Sequence, residues 1–253
     1  MSQLLVINPN TSYDITEKVA RAVAALAPAG VEIVAVSGAF GPRYIASRAA
    51  FAIASHGALD CFARSGARAD CVLLACFGDP GLDALREVAA VPVIGLIEAA
   101  VAEAARHGAR YSIVTGGALW RDMLGEALQA RGLAAGLASI LTVAPTGAQI
   151  AADPEGAFAL LAQACARAIR EDGAQSVILG GAGLVGLARR LEEQAGAPVV
   201  CSIEAGARAA FAALAAHGGA GRFAASQSGA APVDSVGLSP ALAALLAQRP
   251  PAR

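Results

Sequence analysis

Short apolar runs alternate along the chain with longer stretches in which apolar residues recur every three or four positions. The runs predict strands at 4–7, 31–36, 71–75, 91–94, 111–114, 137–143, 176–179 and 198–200. The run at 71–75 has no polar alternation, the pattern of a strand covered on both faces. Between the runs lie predicted helices. The first reaches about 27 from a Thr11/Asp14 capping box. The others span 47–64, from about 81, 97–106, 119–130, 154–170, 184–195 and 203–216. A last one starts at Ser239-Pro240 and runs through 246. Strands alternating with helices predict an α/β fold with parallel sheets and helices on both faces.

The pattern runs through twice. Leu5-Val6-Ile7-Asn8 matches Ser112-Ile113-Val114-Thr115, and Pro92-Val93-Ile94 matches Pro198-Val199-Val200. Ile97-Glu98-Ala99 matches Ile203-Glu204-Ala205, and the offset stays between 105 and 107 throughout. Chance likeness between buried strands is common, but a constant offset is not. The duplication predicts two pseudo-symmetric lobes, each a mostly parallel sheet flanked by helices. Residues 1–96 plus about 206–253 form lobe one, and 97–205 form lobe two. Ligands bind outside the carboxyl ends of strands in open α/β sheets. Two facing lobes therefore bring the ends of strands 71–75 and 176–179 to one cleft. Cys76 stands at the first end. Its repeat mate, 105 positions on, is Gly181.

Composition narrows the function classes. The formal net charge is -1 and aromatic residues make up 4%, with no basic stripe, so nucleic acid is not an expected partner. No apolar run reaches about 18 residues, so no membrane-spanning helix is expected. The first ten residues run straight into a strand, unlike a signal peptide. Cys61, Cys71, Cys76, Cys165 and Cys201 form no CxxC pair, which favours reduced thiols and a cytoplasmic location. His56, His107 and His217 are far apart, and each precedes a glycine. At His107 and His217 this reads as a helix C-terminus rather than a metal ligand, and no metal is expected.

The candidate chemistry gathers at the two strand ends. Cys76 precedes a turn and a helix, and a thiol there can act as acid or base. Phe77-Gly78 in one lobe and Ala182-Gly183 in the other offer backbone N–H groups for a carboxylate or an enolate, or simply turn tightly. Asn8 and Thr115 end matching strands and either contact a ligand or cap loops. Thr115-Gly116-Gly117 reads as a further backbone nest. Asp79 is expected to cap the helix that follows it. Arg43 and Tyr44 follow Gly41-Pro42 in a loop able to cover the cleft. Cys201, also after a strand end, matches Gly95 rather than Cys76.

Three segments carry a resemblance. Ile7-Asn8-Pro9-Asn10-Thr11-Ser12, Cys76-Phe77-Gly78-Asp79-Pro80-Gly81-Leu82 and Leu179-Gly180-Gly181-Ala182-Gly183-Leu184 resemble the aspartate/glutamate/hydantoin racemase superfamily, with the hydantoin racemase branch nearest. The resemblance covers about 3–215. It implies a cofactor-free enzyme with one cysteine per lobe, on opposite faces of a carbon next to a carbonyl. One thiolate removes the proton and the other thiol returns one. Cys76 fits the first position, and this chain departs from the pattern at Gly181. The resemblance implies a hydantoin, an amino acid or a related small acid as substrate, and a homo-oligomer is among the expectations. The related arylmalonate decarboxylases work with a single thiol, in the other lobe, so decarboxylation of a substituted malonate is the alternative. A small-acid binding protein is the third.

Overall fold

The computed structural model describes residues 2–216 and 232–247. The predicted C-terminal role of His217 lies outside them. In chain order the first half runs β1 (Ser2–Asn8), α1 (Tyr13–Ala24), β2 (Val31–Ser37), α2 (Arg48–Ser65), β3 (Cys71–Leu74), α3 (Leu82–Val88), β4 (Val93–Gly95) and α4 (Leu96–Ala104). The second half runs β5 (Tyr111–Gly116), α5 (Trp120–Ala130), β6 (Leu137–Val143), α6 (Gly147–Ala152), α7 (Pro154–Arg170), β7 (Ser176–Leu179), α8 (Ala188–Ala195), β8 (Val199–Cys201) and α9 (Ser202–Ala216), with α10 (Pro240–Leu246) last.

The strands form two four-stranded sheets of the same winding, β2-β1-β3-β4 and β6-β5-β7-β8, and every neighbouring pair is parallel. The repeat extends to single main-chain hydrogen bonds. Ala75 N donates to Ile7 O at 2.8 Å, and Gly180 N to Val114 O at 3.0 Å. Val72 N donates to Pro92 O at 2.9 Å, and Val177 N to Pro198 O at 2.9 Å. β3 and β7 are buried along their whole length, as their uninterrupted apolar runs require.

The two units exchange helices. α4 leaves β4 yet packs against β7 and β8, and α9 leaves β8 yet packs against β3 and β4. Gly206 makes that approach feasible, since a Cβ there would come within 2.5 Å of Leu96 Cδ2 and 3.0 Å of Leu73 Cδ1. One apolar core consequently runs through both sheets, from Leu4 and Leu73 to Ile113 and Val177. No helix among the described residues is long and apolar enough to cross a membrane.

Some local expectations change. The Thr11/Asp14 box does not form: Ser12 is the N-cap of α1, and its hydroxyl donates to Arg43 O at 2.5 Å instead of to its own helix. α1 stops at Ala24, short of 27. α8 starts at Ala188, because residues 180–187 are held as a turn by Leu184 N to Gly181 O (3.0 Å) and Leu187 N to Leu184 O (3.2 Å). α6 is an addition, fixed by a Thr146/Gln149 capping box. Ser239 caps α10 through Leu242 N at 3.2 Å, where the Ser-Pro step puts it. His107 follows the C-terminus of α4, with Gly108 at φ 150°.

Candidate active site

β3 and β1 separate after the Ala75–Ile7 hydrogen bond, and the chain turns sharply there. Asp79 N donates to Cys76 O at 3.0 Å, and positive φ at Gly78 (136°), Asp79 (57°) and Gly81 (80°) completes the reversal into α3. Asp79 does not cap α3, whose N-cap is Gly81. Its carboxylate turns across the strand end and accepts from Leu96 N (2.7 Å) and Ile97 N (3.1 Å), so it caps α4. Gly95 leaves room for this, since a Cβ there would stand 2.7 Å from Asp79 Oδ2. Burial raises the Asp79 pKa to about 7, against the pull of the Leu96 and Ile97 N–H groups and of Arg131. The turn that presents Cys76 is thus pinned to the start of α4.

In the second unit Gly181 N donates to Ser202 Oγ at 3.3 Å. Gly181 adopts φ 131° and ψ 136°, a conformation that L side chains rarely take, whereas Cys76 does not have positive φ. A Cβ on Gly181 would still meet nothing nearer than Leu184 Cδ1 at 3.6 Å and Thr115 Oγ1 at 3.8 Å. Gly181→Cys is therefore expected to fit in space and to strain the backbone. We expect a loss of about 1–3 kcal/mol, read by urea unfolding.

The two turns meet. The Phe77 ring lies against Gly180, where a Cβ would come within 2.4 Å of it, and the Trp120 ring lies as closely over Gly78. Trp120 Nε1 donates to Ile45 O at 3.1 Å, Tyr44 Oη to Gly116 O at 3.2 Å, and Lys18 Nζ to Gly183 O at 3.2 Å. These ties close a pocket of about 560 Å³, open mouth included, between the strand ends.

Cys76, Phe77, Thr115, Gly181, Ala182 and Gly183 line this pocket, and the loop carrying Arg43 and Tyr44 forms part of its wall. Four of the sequence candidates do not reach it. Asn8 is fully buried below, where its Nδ2 donates to Asn10 Oδ1 (2.9 Å), Thr16 Oγ1 (2.9 Å) and Ser12 O (3.3 Å). Gly78 is roofed by Trp120. Thr115-Gly116-Gly117 is not an open nest, because Gly117 N donates to Val143 O at 3.0 Å and Gly116 O accepts from Tyr44. In place of Asn8 the wall holds Asn10, whose Oδ1 accepts from Asn8 and from Ser12 N (2.9 Å), leaving its Nδ2 without a partner among the described residues. Leu184, the last residue of the second-lobe motif, lines it too, and Ile15, Ile45 and Trp120 supply an apolar lining that no sequence motif announced. The Phe77, Gly78, Ala182 and Gly183 N–H groups make no hydrogen bond among the described residues. Those of Phe77, Ala182 and Gly183 belong to residues that line the pocket, where a ligand or water can accept from them.

Burial pushes the Cys76 thiol far above its ordinary value, and the Asp79 charge adds to the shift. The resting group is a neutral thiol, suited to giving a proton, and its thiolate is a strong base once formed. Cys201 does not line the pocket. Burial raises it to about 11, while the N–H groups of Glu204, Ile203 and Gly186 face its sulfur and pull it down. Cys201 thus sits at the start of α9 much as the Asp79 carboxylate sits at the start of α4.

A family model described as Asp/Glu/Hydantoin racemase matches residues 4–210. The chain belongs to that family. It is 37% identical over 210 residues to the hydantoin racemase of Paenarthrobacter aurescens, covering 82% of this chain and 89% of the relative. Among solved structures, allantoin racemase from Pseudomonas fluorescens superposes with a TM-score of 0.82 at 30% identity, covering 85% of this chain and 92% of that one. An arylmalonate decarboxylase mutant, with one glycine changed to cysteine and one cysteine to serine, superposes at 0.64 and 20% identity, over 88% of this chain and 95% of that one. That last likeness is one of fold. The allantoin racemase is alike in both sequence and fold.

Proposed function

We infer that this protein is a racemase acting at the carbon alpha to a carbonyl of a hydantoin-type ring, with Cys76 as the acid/base on one face. The observation that carries the reading is the pocket wall: a thiol at one strand end, a bare glycine at the matching end, and an open, mostly apolar pocket between them. Hydantoin and allantoin racemases among the similar proteins support the ring as substrate. The charge of the lining separates substrate classes. Among the described residues Arg43 is the one charged residue on it, and no carboxylate lines it to pair with an ammonium group. A free amino acid would leave its ammonium without a counter-charge in an apolar pocket, which is costly. A neutral ring asks only for hydrogen-bond donors at its carbonyls. Asn10 Nδ2 and the unpartnered Phe77 N–H supply them and strengthen as the enolate forms. Ile15, Ile45, Phe77 and Trp120 suit an apolar or aromatic ring substituent. Proton transfer by a thiol asks for no cofactor.

The test is a substrate panel in heavy water, followed by NMR of the α proton. The reading expects enzyme-dependent exchange and loss of optical activity for hydantoins with apolar substituents, and none for the corresponding free amino acids. Release of carbon dioxide from an aryl malonate, without hydantoin exchange, would replace it with single-thiol decarboxylation. Binding without either reaction would make the protein a small-acid binder. Gly181→Cys, by adding a thiol on the second face, is expected to raise hydantoin inversion at least tenfold.

A further inference from the structure

The racemase reading leaves one face of the substrate without an ionisable side chain, and the following inference rests on that reading. A proton must still reach that face for inversion. The geometry points to a water molecule, held by the Thr115 hydroxyl in the hollow beside Gly181, as the proton carrier on the face opposite Cys76. Thr115 is 6% exposed, lines the pocket, and its Oγ1 makes no hydrogen bond among the described residues. That oxygen lies 3.8 Å from where a Cβ on Gly181 would be, beside Leu184 Cδ1 at 3.6 Å and Leu184 Cγ at 3.8 Å. Glycine therefore leaves the space of a Cβ open to the pocket, with one polar atom at its edge. The Ala182 and Gly183 N–H groups on the same turn are also without partners. A confined water needs two to four polar partners, and Thr115 Oγ1 with these two N–H groups are the groups proposed to supply them.

The proton balance closes. The Cys76 thiolate takes the α proton from one face, and the electron pair moves onto the ring carbonyl. The enolate then takes a proton from the water on the opposite face, and the carbonyl re-forms. The hydroxide left behind takes the proton from the Cys76 thiol through pocket water, which restores thiolate and water. The other enantiomer runs the same steps backwards. Thr115 acts here as a positioning residue, because it holds the carrier and does not titrate.

The experiment compares wild type, Thr115→Val and Thr115→Ser, using each enantiomer of 5-benzylhydantoin in heavy water. Two rates are read for each: inversion, and exchange with retention of configuration. The ratio of inversion to retentive exchange should fall at least tenfold in Thr115→Val and return to within about threefold of wild type in Thr115→Ser. A Thr115→Val ratio within twofold of wild type would overturn the inference while leaving the racemase reading intact. So would a higher KM that slows both rates alike, since that marks a residue holding the ring. Exchange of neither enantiomer by wild type would overturn both.

Discussion

Cys76→Ser is expected to lower hydantoin α-proton exchange by a factor of about a thousand, within the range for removing a general acid/base group. Binding of the ring should change little, because its proposed donors are Asn10 Nδ2 and the Phe77 N–H. Serine keeps the shape of the site but is far too weak an acid to cycle between hydroxyl and alkoxide. None of the other thiols can substitute. Cys61, Cys71 and Cys165 are buried away from the pocket and raised by that burial to about 11, 12 and 12. Cys201 is committed to the start of α9. The pH profile follows from the same burial. The Cys76 thiol lies far above neutrality, so the reactive thiolate grows about tenfold per pH unit. The exchange rate measured by NMR should climb steadily from neutral pH, without a plateau, until the protein unfolds.

Asp79→Ala should be the most damaging substitution for stability outside the apolar core. Two N–H groups at the start of α4 lose their acceptor, and the Cys76 turn loses its anchor. A lost cap and two unsatisfied buried donors together cost roughly 2–4 kcal/mol, read as a lower urea midpoint. A pH effect accompanies it. The Asp79 pKa is raised from 3.8 to about 7, so the folded state holds a proton that the unfolded state has already released. Its contribution is full below the unfolded value and is lost as pH rises through about 7. Wild type should therefore be more stable at pH 5 than at pH 8. Asp79→Asn should lose that component of the difference. The same variant removes a charge that raises Cys76, so its exchange profile should shift to lower pH.

Much of this was legible in the chain. The buried runs at β3 and β7 have no polar alternation, and the offset between the halves located Gly181 opposite Cys76 without any structure. What stayed hidden depends on contacts between distant residues. Asp79 reads as a cap for the helix beside it, but φ of 57° turns its carboxylate towards Leu96 and Ile97. Asn8 ends the strand, where either a ligand contact or a loop cap is expected. Its side chain is spent on Asn10, Thr16 and Ser12, and Asn10 takes the pocket. Trp120 reads as an ordinary amphipathic helix position. Only the approach of α5 to the Cys76 turn sets it over Gly78, where glycine is needed to receive it. Gly180 likewise looks like part of a flexible turn until the Phe77 ring of the facing turn is seen against it.

The claim that one thiol serves this site is tested most directly by alkylating the protein with iodoacetamide at alkaline pH. Label position and stoichiometry are followed by peptide mass spectrometry, alongside residual hydantoin exchange. The account predicts that exchange falls in proportion to a single label on Cys76, and that bound hydantoin slows both. Exchange that persists with Cys76 fully labelled, or that is lost in step with labelling of Cys201 instead, would contradict it.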